Sequence, residues 1–171
     1  MPGADTPELP QGIFVLPGTY QVRLTADGRT STQPLTVAMD PRVKISPADL
    51  KAQNDFYEEV AQALARVTEA QEEVQKAADR LKGRLNEKAG EEAKSLAAQV
   101  AAFQGGRRRG GSEDSLATIA GVLSPLATDI ESGDHPPTAP QREVYALYSK
   151  RLETALAHWQ ALKNGPLKGV R

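Results

Sequence analysis

The amino-acid sequence predicts a mainly α-helical protein: an antiparallel bundle of three to four helices, the first one long, behind an N-terminal β-hairpin. Two patterns predict this. Apolar positions step by three and four residues through four separate stretches, which is the spacing of one helix face. Ahead of them, Tyr20-Gln21-Val22-Arg23-Leu24 alternates apolar and polar residues and runs into Asp27-Gly28, a strand followed by a tight-turn signal. The composition agrees. With 39% hydrophobic but only 5% aromatic residues, the core must be built of aliphatic side chains and alanine, which suits packed helices.

The elements follow in order. Residues 1–12 are polar and punctuated by Pro2, Pro7 and Pro10, and are expected to be a disordered lead-in. Residues 13–43 form the hairpin unit. Ile13-Phe14-Val15 is apolar, Pro17-Gly18 signals a turn, and Tyr20, Val22 and Leu24 share a strand face. Asp27-Gly28 suits a two-residue type I′ turn, in which both residues take positive φ. The chain returns through Thr30 to Ala38 with Leu35, Val37 and Met39 on one face, and Pro34 marks an edge or a bulge. A lone hairpin is marginal in water, so this one needs a surface: the helices that follow it, or the rest of a β-sandwich.

Asp40-Pro41-Arg42-Val43 reads as a stiff connector into the helical bundle of residues 44–164. Ser46-Pro47-Ala48-Asp49 supplies an N-cap, a first-turn proline and a first-turn acid. From there a heptad seam of coiled-coil type is predicted along Leu50, Gln53, Tyr57, Val60, Leu64, Val67, Gln71, Val74, Ala78, Leu81 and Leu85, with Gly83 weakening its last turns. The two glutamines either set the register of the seam or sit at its wet edge. Ala93, Leu96, Val100 and Phe103 mark a second helix, which Gly105, Gly106, Gly110 and Gly111 break. Ser112 or Glu113 is expected to open a third, with Leu116, Ile119, Leu123, Leu126 and Ile130 inward and Pro125 kinking it near Gly121. Thr138 and Gln141 form a capping-box pattern ahead of a fourth stripe: Val144, Tyr148, Leu152, Ala155, Trp159 and Leu162. Asn164-Gly165-Pro166 ends it, leaving residues 165–171 as a tail.

The same residues narrow the chemistry. Net charge is −1, so no global field draws the chain to nucleic acid or an anionic membrane. No stretch approaches the roughly 20 apolar residues of a membrane span. Without cysteine there is no disulfide, thiol nucleophile or cysteine-held zinc, and neither His135 nor His158 has a partner at a ligand spacing. Glu58-Glu59, Glu72-Glu73 and Glu91-Glu92 read as a solvated face, with Glu72 and Lys76 an i,i+4 pair, because a di-iron bundle would need Glu-x-x-His. No Gly-x-Ser-x-Gly occurs, and Ser112 and Ser115 serve better as helix-start residues. No cofactor is expected, and no catalytic or metal residue is assigned. The one candidate contact is Arg107, Arg108 and Arg109, which would meet an anion or an acidic partner from a glycine-rich connector.

The segment from Leu16-Pro17-Gly18-Thr19-Tyr20-Gln21-Val22-Arg23-Leu24 through Gln33-Pro34-Leu35-Thr36-Val37 to Asp40-Pro41-Arg42-Val43 carries a resemblance. With Pro137 to Arg142 and Trp159 to Leu162, it resembles the C-terminal region of bacterial sortilin-like, BNR-repeat β-propeller proteins labelled glycosyl hydrolases, over about residues 16–163. The resemblance implies that the hairpin is the last of an immunoglobulin-like module and that the helices are the tail behind it. It also implies a periplasmic or extracellular setting, given an upstream signal. The residues that match are structural ones, and the propeller is not in this sequence, so its chemistry does not transfer.

The function expected is therefore a non-catalytic structural or protein-interaction module, an accessory region of a larger β-propeller protein. Its partners would be another protein, its own propeller region or a second copy, without nucleic acid or membrane. The alternatives are part of a glycoside-hydrolase-like enzyme whose catalytic portion lies elsewhere, and an arginine-loop binder of an acidic partner or nucleic acid.

Overall fold

The computed structural model describes residues 13–83, 90–105 and 113–169. Two strands, β1 (Gly18–Ala26) and β2 (Arg29–Val37), precede four helices: α1 (Pro47–Lys82), α2 (Glu91–Gln104), α3 (Leu116–Glu131) and α4 (Ala139–Asn164). The fold is the expected one, a mainly helical bundle behind an antiparallel hairpin. A 3₁₀ turn, Pro166–Gly169, follows α4, and its Leu167 packs back on the core, so this part of the expected tail belongs to the bundle.

Local chemistry explains each start. Ser46 accepts the Asp49 N–H at 3.1 Å, with Pro47 in the first turn where its missing N–H costs nothing. Asp40 folds the connector around itself, taking the Arg42 backbone N–H at 2.9 Å and the Arg42 guanidinium at 2.6 Å, which holds its carboxyl below the usual range. Thr138 and Gln141 complete the capping box in both directions, and Gln141 Nε2 donates to Asp129 at 2.7 Å, tying the start of α4 to the end of α3. The third helix opens later than expected. Its N-cap is Ser115, which accepts from Thr118 N–H and is itself buried. Glu113 lies outside the helix and pairs with Arg151 of α4, while Ser112 falls outside the described residues. The helix runs unbroken through Pro125.

The long helix α1, about 54 Å at 1.5 Å per residue, is the spine. The next two helices both run back along it, one after the other. Gln104 at the end of α2 meets Gln75, and the end of α3 meets Gln53, so together they form a single descending arm in two pieces. Helix α4 climbs beside α1, marked by Tyr145 on Glu59, Arg66 on Glu153 and Trp159 on Glu73. In cross-section the bundle is three helices thick.

That arrangement shifts the seam. The buried line along α1 is Phe56, Val60, Ala63, Val67, Ala70, Val74 and Leu81, another three-four alternation. It shares Val60, Val67, Val74 and Leu81 with the predicted seam but replaces Tyr57, Leu64 and Gln71 by the residue before each. Two neighbours explain it. The Gln53, Tyr57 and Gln71 side meets α3, while Phe56, Glu59, Arg66 and Glu73 face α4, so the most enclosed line runs between them. The start of the α4 stripe shifts one residue the other way: Val144 is exposed, and Tyr145 turns in, edge-on to Phe56 at 5.5 Å. The two predicted stripes of α2 and α3 hold, with Leu96, Val100 and all five α3 residues buried.

Candidate functional site

The hairpin is amphipathic and stands largely clear of the helices. Asp27 (φ 51°) and Gly28 (φ 72°) make the two-residue turn, and the pairing runs from Ala26↔Arg29 to Gly18↔Val37. This register places Thr19, Gln21, Arg23 and Thr25 opposite Thr36, Pro34, Thr32 and Thr30, a polar face on which Thr25 and Thr30 share a 3.0 Å hydrogen bond. The other face gathers Tyr20, Val22, Leu24, Leu35 and Val37. The pair beside the turn exchanges both ladder bonds, so by alternation Gln21↔Pro34 is a non-hydrogen-bonded pair. Pro34 therefore costs the ladder nothing, and its missing N–H blunts the outer edge of β2.

Among the described residues no second layer covers the apolar face. Val22 is 51% exposed, Leu24 68% and Leu35 49%, and Phe14, ahead of β1, is 71% exposed. At its base the hairpin meets the bundle across a cleft of about 300 Å³, walled by Val15, Val37, Met39 and Leu50 with Glu131 and Asp134 among its polar groups. Above the cleft floor Gln53 donates to the carbonyls of Ile130 and Gly133, each at 2.5 Å, so it caps the end of α3 rather than lying idle in the seam. Gln71, by contrast, lies half-exposed beside Leu116, at the wet edge. Tyr57 also lines the cleft, and burial, then the Glu131 carboxylate, push its phenol above the ordinary range.

No family model, curated protein or solved structure matches the chain.

The predicted site residues Arg107, Arg108 and Arg109 lie outside the described residues. The connector's two described ends meet: a Cβ on Gly105 would stand 2.8 Å from Ser115 Oγ. His135 turns its Nδ1 to the Pro136 carbonyl, and His158 is exposed. Among the described residues no three His, Asp or Glu gather as metal ligands, and no helix is long and apolar enough to cross a membrane.

One carboxylate departs from the solvated face expected of Glu72-Glu73. Glu73 is half-buried and accepts Trp159 Nε1–H at 2.7 Å and Lys163 Nζ at 2.8 Å; the lysine first and the indole second hold its pKa below the usual range. Glu72 does pair with Lys76, at 3.7 Å. No sequence signal distinguishes the two glutamates, because the partners of Glu73 lie on another helix.

Proposed function

We propose that this chain is a non-catalytic structural and protein-interaction module, in which a helical bundle holds out an apolar β-ribbon for a partner layer. A single observation carries the reading: a nine-residue-stranded hairpin presents Val22, Leu24 and Leu35 to solvent on one face while its other face is threonine-rich. A two-stranded ribbon gains little stability alone, and covering its apolar face is worth about 25 cal/mol per Å² of apolar surface. Local contacts brace the base of the ribbon: the Tyr20 hydroxyl donates to the Leu16 carbonyl at 2.6 Å, and Asp40 accepts the Arg42 N–H within the connector. The setting we propose, from the sequence resemblance, is an accessory region of a larger β-propeller protein, with the partner layer supplied by that protein or a neighbour.

A photo-crosslinker tests it. With p-benzoylphenylalanine in place of Leu24, the native-length protein should give one discrete adduct in cells, whereas the same group in place of Glu58 on the exposed side of α1 should give none. Equal, diffuse labelling from both positions would sink the proposal. Turnover of any glycoside by the purified chain would sink its non-catalytic half.

A further inference from the structure

The apolar face of the hairpin does not end at the strand. Val37, in line with Tyr20 and Leu35, is also a wall of the cleft, so the exposed ribbon and the cleft make one continuous apolar surface. The cleft differs from the ribbon in charge. Glu131 and Asp134 are among its lining residues, and no lysine, arginine or histidine is among the described residues that line it. Among the described residues neither acid takes part in an ion pair; Glu131 faces the Tyr57 hydroxyl. Its volume, about 300 Å³, lies at the small end of the range that side chains or small ligands fill, roughly 300–1,000 Å³.

We propose that the cleft seats an apolar segment of the partner that carries a lysine or arginine, its aliphatic side chain between Val15, Met39 and Leu50 and its cation against Glu131 and Asp134. The inference rests on the interaction-module reading and names the partner's chemistry at the base of the same surface. Charge complementarity selects this occupant. Glu131 and Asp134 in an otherwise apolar lining favour a cationic side chain over a neutral or acidic one.

The probe is N-acetyl-Leu-Lys-Leu-amide, compared with its Gln and Glu analogues by titration into the ¹⁵N-labelled full chain. The lysine peptide should shift the amides of Asn54, Tyr57 and Gly133 and bind about fivefold more tightly than the Gln peptide, the scale of one or two partly exposed ion pairs. The Glu peptide should bind most weakly. In Glu131→Gln/Asp134→Asn the lysine preference should vanish while the Gln peptide binds as before. Equal binding of the three peptides, shifts that map away from the cleft, or cleft shifts that depend on protein concentration alone, meaning a second copy fills it, would each overturn the inference. Leu24→Thr should leave the titration unchanged. A lost crosslink at position 24 with charge-selective cleft binding intact overturns the ribbon reading alone; the converse overturns only the cleft.

Discussion

Replacing Glu73 by alanine should destabilise the bundle far more than the same change at Glu72, one residue away. Trp159 is 2% exposed, and its indole N–H has the Glu73 carboxylate as partner. Removing that acceptor leaves a buried donor unsatisfied, at about 1–3 kcal/mol. The Lys163 pair adds less, because its side chains are 31% and 37% exposed and solvent screens them to about 0.5 kcal/mol. The sum is about 2 kcal/mol, or about 4–8 °C in melting temperature for a chain of this size. Glu72→Ala, which loses only an exposed 3.7 Å pair, should cost about 0.5 kcal/mol or less. Thermal and urea unfolding followed by helical circular dichroism measure both, and the fluorescence of Trp159, the chain's single tryptophan, reports the local environment. The pH dependence has a definite sign. The folded pKa of Glu73 is lowered, so its contribution is full above the unfolded carboxyl pKa of about 4.3 and is lost as the pH falls through the folded value. Glu73→Gln should flatten that acid limb. Equal losses in the two alanine variants, or an unchanged acid limb in Glu73→Gln, would refute the cross-bundle role of this carboxylate.

Three further outcomes are expected. Gln53→Ala strips the Ile130 and Gly133 carbonyls of their shared donor and should cost about 1–3 kcal/mol, with faster hydrogen exchange confined to the end of α3. Thr138→Ala removes half of the capping box and should cost about 1 kcal/mol in urea unfolding, without altering the hairpin amides. Gly105 has φ 71°, and a Cβ there would stand 2.9 Å from Ala117 Cβ. Gly105→Ala should therefore cost at least the roughly 1 kcal/mol of a left-handed alanine, read by thermal melting, whereas Gly28→Ala, also at positive φ but with open space around it, should perturb only hairpin resonances.

Much of this molecule is written locally. The Asp27-Gly28 turn sets the hairpin register, because a two-residue loop leaves only one pairing, and that register sorts Val22, Leu24 and Leu35 onto one face. Ser46 and the Thr138–Gln141 box place two helix starts to the residue, since capping is a contact across three positions. The candidate surface was thus half legible: the apolar ribbon could be read from alternation. The cleft could not, because its acids on and just after α3 lie more than ninety residues from Val15 and Met39 and meet them only through the descent of α3 beside α1. The same limit explains the seam. Periodicity identifies an apolar face about 100° wide but not how many neighbours share it. Val60, Val67 and Val74 lie central to both helices that flank α1 and were found. Phe56 and Ala70 lie against α4, and Glu73 finds Trp159 and Lys163 there; those positions were decided by packing across some ninety residues of chain, which no spacing within α1 records.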